Sequence, residues 1–283
     1  MPEFDAFWNF DDPAGTEMAF RKILDSEASD WVEHDRAELL SQIARTLGLQ
    51  GKFEAADAVL EEGQKAAVGH PRAEARVLLE RGRVRNSSGD KAGAIPLFEQ
   101  ALIKADEAEE DFLAIDAIHM LAIASPPEKQ MHWHREGIKR SEQSQDPRVR
   151  GWLGSLYNNL GWSLHDAEMY GEALSTFEKA LAFRIEQGKE GPIRIAKWCV
   201  ARCLRSLSRP SEALEMQRQL HQECASANAP DGYVEEEIGE CLLELGRAEE
   251  AKPYFGAAFL LLEKPLSIQH EATRIARLRK YSC

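Results

Sequence analysis

Cys199 and Cys203 stand four residues apart, a spacing that on a helix puts two thiolates on one face and presents half of a tetrahedral zinc site. No second ligand pair follows, and the remaining cysteines, Cys224, Cys241 and Cys283, are scattered. Structural packing is therefore the expectation for these thiols, and no metal site is expected. His132-Trp133-His134 resembles a ligand cluster, but residues two apart on a helix diverge by about 200° and do not converge on one ion. The acidic runs Asp106 to Asp111 and Glu235-Glu236-Glu237 fit solvated helix starts, where carboxylates favour the helix dipole. Phosphate-binding glycine loops, H-E-x-x-H and G-x-S-x-G are missing, so neither a catalytic centre nor a cofactor is expected.

The elements that would position these side chains are legible as a repeat. Gly82, Ala94, Phe98 and Ala101 recur with the same offsets of 12, 16 and 19 as Gly161, Ala173, Phe177 and Ala180, and as Gly239, Ala251, Phe255 and Ala258. Weaker copies in the same frame are Ala44, Ala56, Leu60 and Gly63, and Ala201, Ala213, Gln217 and Leu220. A period of about 38 to 40 residues fits two helices joined by a short turn, with a small residue on helix A meeting a small residue on helix B and an aromatic ring beside them. The second small residue of helix B leaves room for the next helix A. Turn sequences fall between the patterns at Leu49-Gln-Gly-Lys-Phe, Ser87-Ser-Gly-Asp-Lys, Glu168-Met-Tyr-Gly-Glu, Ser206-Leu-Ser-Arg-Pro and Glu244-Leu-Gly-Arg-Ala, mostly with Gly or Pro ending a helix. A degenerate pair runs from Phe112 to Ala124 and from Lys129 to Gln143, with Pro126-Pro127 shortening its turn and the signature lost. Pro96 and Pro253 fall inside helix B, where a missing N–H loosens or kinks the second turn.

Leu156-Tyr-Asn-Asn-Leu-Gly-Trp followed by Tyr170-Gly-Glu-Ala-Leu-Ser-Thr-Phe-Glu-Lys-Ala-Leu resembles the tetratricopeptide repeat family. The resemblance extends over roughly Arg36 to Glu263, with a unit longer than the family's usual ~34 residues and with Lys91 and Ala248 where the family favours an aromatic. It implies an all-α, right-handed superhelical solenoid of about six helix pairs with a capping helix at each end. The expected organisation is residues 1–35 as an aromatic segment and capping helix, 36–265 as the repeats, and 266–283 as a C-terminal capping helix. Asp12-Pro13 starts a helix over 13–28. Ahead of it, Phe4, Phe7, Trp8 and Phe10 either pack over the first helices or serve self-association or groove filling.

In such a fold the resemblance implies that the second, fifth, ninth and twelfth positions of each helix A face the ligand. Transferring that frame gives Arg45, Arg83, Asn86 and, bordering it, His119, then Asn158, Trp162, His165, Trp198, Arg202 and Arg205, with an acidic end at Glu236 and Glu240. A chain of net charge -13 that gathers cations and tryptophans there is expected to bind an acidic or extended peptide of a partner protein. The alternative is a sensor that takes a small anionic ligand or signalling peptide. The family's carboxylate clamp, Lys and Asn on one helix A with Asn and Lys/Arg on the following ones, is not reproduced. The acidic balance opposes nucleic acid and anionic membranes. No run approaches the ~18 apolar residues of a membrane span, and an acidic start lacking a secretory pattern makes cytoplasm the expected location.

Overall fold

A computed structural model describes residues 4–27, 32–263 and 271–282. Among these the chain is helical with short turns and no strand. It divides into two compact units, Met1–Leu156 and Tyr157–Cys283. The first holds a 3₁₀ turn at Phe4–Phe7 and the helices α1 (Pro13–Glu27), α2 (Glu33–Leu49), α3 (Phe53–Ala67), α4 (Pro71–Ser87), α5 (Lys91–Glu107), α6 (Asp111–Ala124), α7 (Pro127–Gln143) and α8 (Pro147–Arg150). Helix α9 (Leu153–Asp166) carries the division, and α10 (Tyr170–Gln187), α11 (Glu190–Ser206), α12 (Pro210–Ser226), α13 (Gly232–Glu244), α14 (Ala248–Leu262) and α15 (Ala272–Tyr281) complete the second. The expected boundary at 265/266 and Cys283 lie outside the described residues.

In the first unit α2 packs on α3, α4 on α5 and α6 on α7, while α2, α4 and α6 lie side by side as the A helices. In the second, α10 to α15 each pack on the next, and α11 touches α13. The repeat signature is the close-packed seam of these pairs. A Cβ built on Gly82 would lie 2.3 Å from Phe98 Cε1, one on Gly161 2.5 Å from Phe177 Cε1, and one on Gly239 2.9 Å from Phe255 Cζ. All three rings are fully buried. Where helix A carries a methyl group, helix B lacks the ring, as in Ala44 with Leu60 and Ala201 with Gln217.

The degenerate pair keeps the helix register in a shortened frame but not the signature, with Gln130 in the place of the first small residue of helix B. Ala122 stands where Gly82 does relative to the start of its helix, and helix B arrives four residues early, with His134 in the ring position and Gly137 as the second small residue. Gly137 sits against Ile118 and Leu156 as Gly63 sits against Leu40 and Val77. Helices α5 and α14 run unbroken through Pro96 and Pro253. The turns differ in one respect from the sequence reading. Gly51, Gly89 and Gly246 supply left-handed residues, but the same task falls to Glu168 (φ 58°) and Ser208 (φ 57°), while Gly171 lies inside α10 and Pro210 opens α12.

Candidate functional site

Asn158, Trp162 and His165 lie at four- and three-residue steps on α9, and Trp198, Arg202 and Arg205 repeat that stepping on α11, so each trio shares one helix face. The structure brings the two trios together. The rings of Trp162 and Trp198 are 5.9 Å apart, and Trp198 is 6.3 Å from Tyr233 of α13, to whose carbonyl its indole N–H donates at 3.1 Å. Trp162 also lies edge-on to Phe177 and to His165. Three successive A helices thus present a run of partly exposed aromatic rings, and Arg274 stands 4.8 Å from the Tyr233 ring.

The polar members of this face are unequally committed. Arg205 closes on Glu237 through Nε and Nη2 and on Glu244 through Nη1 at 2.7 Å. Burial works against its charge, but the two carboxylates outweigh that and raise its pKa above the ordinary arginine value. Arg202 donates to Ser206 Oγ at 2.6 Å and approaches Glu237 only to 3.6 Å, with about a quarter of its side chain exposed. His165 meets Ser206 Oγ at 2.9 Å, and burial, reinforced by Arg202, lowers its pKa. Asn158 accepts from the Cys199 thiol at 3.3 Å, so it is turned toward α11.

Arg83, Asn86 and His119 lie in the first unit and belong to a different arrangement. Arg83 bridges Glu80 and Asp116. Burial opposes its charge, but Asp116 and Glu80 prevail and raise its pKa. Burial likewise works to raise Asp116, and Arg83 with Arg45 brings it below the ordinary carboxylate value. His119 lies 5.1 Å from Trp152, and burial lowers its pKa. Asn86 is half-buried, and its side-chain carbonyl has no hydrogen-bond partner.

Sequence reasoning missed the acids that receive these arginines. Glu80 and Glu237 each stand two residues before the signature glycine, and the arginine one residue past the preceding helix A's small residue points to them: Arg45 to Glu80 at 3.4 Å and Arg202 to Glu237. That spacing was present in the repeat frame. The run Glu235-Glu236-Glu237 is not a solvated helix start, since Glu235 and Glu237 are buried and bound to His221 and Arg205. Desolvation is tolerated there because each carboxylate receives a charged or N–H partner from a neighbouring helix. His132 is exposed and His134 buried. The four described cysteines are buried free thiols, and burial pushes Cys199 and Cys241 up to about 12. No group of three or more His, Cys, Asp or Glu side chains able to hold a metal occurs among the described residues.

These features define a helical-repeat protein. Residues 154–184 match the family described as tetratricopeptide repeat. Solved structures of similar fold include BtubC from P. vanneervenii, at 16% identity over 82% of this chain and 94% of that one with a TM-score of 0.62. A tetratricopeptide repeat protein from Parabacteroides merdae aligns at 15% identity over 99% and 96% of the two chains, with a TM-score of 0.55. A signal transduction ATPase with a tetratricopeptide repeat sensor from Pyrococcus horikoshii aligns at 14% identity over 95% of this chain but 42% of its own, with a TM-score of 0.74. No curated protein sequence matches the chain. One stretch of the chain, residues 154–184, matches the tetratricopeptide repeat, and the fold is that of solved tetratricopeptide repeat structures. No helix among the described residues is long and apolar enough to cross a membrane.

Proposed function

We propose that the chain is a protein-interaction module that receives an extended segment of a partner protein on the aromatic A-helix face of its second unit. The observation that carries this reading is the run Trp162, Trp198 and Tyr233 on three successive A helices, spaced 5.9 and 6.3 Å. Large rings presented at one level offer contact area at little conformational cost and seat apolar side chains. Arg202, one turn beyond Trp198, is the cation of this face least held by carboxylates, and it sets the preference for an acidic residue beside the apolar anchor. Arg205, locked on Glu237 and Glu244, shapes the face and does not read the partner. The same fold forms the sensor of the P. horikoshii ATPase and is found in a quorum sensor from B. thuringiensis, aligned at 12% identity with a TM-score of 0.54.

The test is selection of a random twelve-residue peptide library on the immobilised chain. Enriched sequences are expected to pair an aromatic or aliphatic residue with Asp or Glu. Their affinity should drop at least tenfold on Trp198→Ala, and Arg202→Gln should abolish their salt dependence, with both variants still helical by circular dichroism. Peptides that bind both variants as they bind the wild type would place recognition elsewhere.

A further inference from the structure

In the first unit, the segment ahead of α1 lies across the A-helix face. Trp8 donates its indole N–H to Gln42 Oε1 at 2.9 Å and stacks on Phe10 at 4.7 Å with ring planes 9° apart. The Arg45 guanidinium is 5.5 Å from the centroid of each ring. Gln42 and Arg45 stand two before and one past Ala44, the positions that Asn159 and Trp162 hold around Gly161, and Cys199 and Arg202 around Ala201. Arg45 thus holds in the first unit the repeat position that Trp162 and Arg202, two residues of the aromatic face, hold in the second.

The two rings leave the cleft part-filled. A cavity of about 270 Å³ remains beside them, walled by Trp8, Phe10, Phe112 and Trp152 and floored by Glu80 and Asp116. Glu80 is only 3% exposed, and while one oxygen accepts from Arg83 and Arg45, Oε2 has no hydrogen-bond partner. A buried acceptor left without a donor is a cost that a fuller occupant removes. The backbone of the segment is held at both ends, by Phe4, buried edge-on to Phe20, and by Asn9, whose N–H donates to Thr16 Oγ1 at 3.2 Å and whose carbonyl accepts from it at 3.1 Å, whereas the Phe10 ring is 58% exposed.

We propose that Phe4–Phe10 is a self-ligand, held on a recognition site formed by α2, α4 and α6, and that a partner segment carrying two aromatic rings followed by a basic residue displaces Trp8 and Phe10 to bind there. The rings replace the stack on Arg45, where a cation facing aromatic surface is attractive. The basic residue supplies the N–H donor that Glu80 lacks. Met1–Leu156 contains 29 acidic and 19 basic residues, a balance that favours the approach of a basic segment. The site is separate from the aromatic face of the second unit.

The probe is a labelled peptide of residues 4–10, with and without two added C-terminal lysines, titrated against the wild type and the Trp8→Ala/Phe10→Ala chain, which keeps the Phe4 anchor. A tethered segment competes at an effective concentration on the order of millimolar, so the double variant should bind the peptide at least tenfold more tightly than the wild type. The added lysines should tighten binding in a Glu80-dependent way, lost in Glu80→Gln. A peptide with leucine for each ring should not bind. Arg45→Ala in the double variant should weaken binding at least fivefold. Trp8→Leu, which keeps apolar bulk and drops the indole N–H, serves if the double variant does not fold. Equal binding to wild type and variant, no binding to either, or equal binding of the leucine peptide would overturn the proposal. A wild-type dimer that dissociates on Trp8→Ala/Phe10→Ala would assign the segment to a second copy and overturn it as well.

Discussion

The Phe98 ring occupies the space that a side chain on Gly82 would need, with Cε1 2.3 Å from where that Cβ would lie. Gly82→Ala gains about 1 kcal/mol of helix propensity but forces two helices apart, and overpacking of this kind costs about 1–3 kcal/mol, so a net loss of stability is expected. Phe98→Leu in the same chain recreates the Ala44 and Leu60 pairing and should restore part of it. Urea denaturation of the two single variants and the double checks this. A double variant whose loss equals the sum of the singles would mean that the two positions are not coupled.

Gln217 sits in the ring position of its repeat, fully buried, and neither its amide nitrogen nor its oxygen has a partner. Gln217→Leu should therefore stabilise the protein by about 1–2 kcal/mol, since removing an unsatisfied buried amide relieves its desolvation cost. Thermal and urea unfolding report the difference. A destabilised variant would show that the amide is satisfied in solution.

His134 holds the equivalent position in the shortened repeat, and burial, with a smaller contribution from His119, pushes its pKa from 6.5 down to about 4. The unfolded imidazole takes up a proton near pH 6.5 and the folded one only near pH 4. Its contribution to stability is thus full above pH 6.5 and falls as pH drops through that window, by up to about 3 kcal/mol. His134→Phe, which restores the ring of the other repeats, should flatten this part of the stability profile. Urea midpoints measured from pH 7.5 to 4.5 decide it, and an unchanged profile would show that His134 is not its source.

Arg205 and Arg202 should separate stability from binding. Arg205→Met leaves Glu237 buried beside only the weaker Arg202 contact, a loss of about 3–5 kcal/mol. Arg202→Met removes a partly exposed contact and should cost under about 1 kcal/mol. Unfolding curves at neutral pH compare them, and equal losses would contradict the division of labour between the two.

The amino-acid sequence by itself determined the helical repeat and the seam residues, because close packing within a hairpin demands small residues and a ring at fixed offsets only 12 to 19 residues apart, while the trios Asn158-Trp162-His165 and Trp198-Arg202-Arg205 followed from the resemblance to the tetratricopeptide frame. Turn chemistry was less legible: Glu168 and Ser208 adopt left-handed backbone without the glycine that signals it. The tertiary structure alone decided which cations stay available, which acids are buried and where the N-terminal rings lie. Arg205 is taken by Glu237 and Glu244, 32 and 39 residues away, and Trp8 by Gln42, 34 residues away. Such partnerships join different repeats, where several rotamers and several carboxylates compete and the winner depends on burial and solvation that only packed helices define.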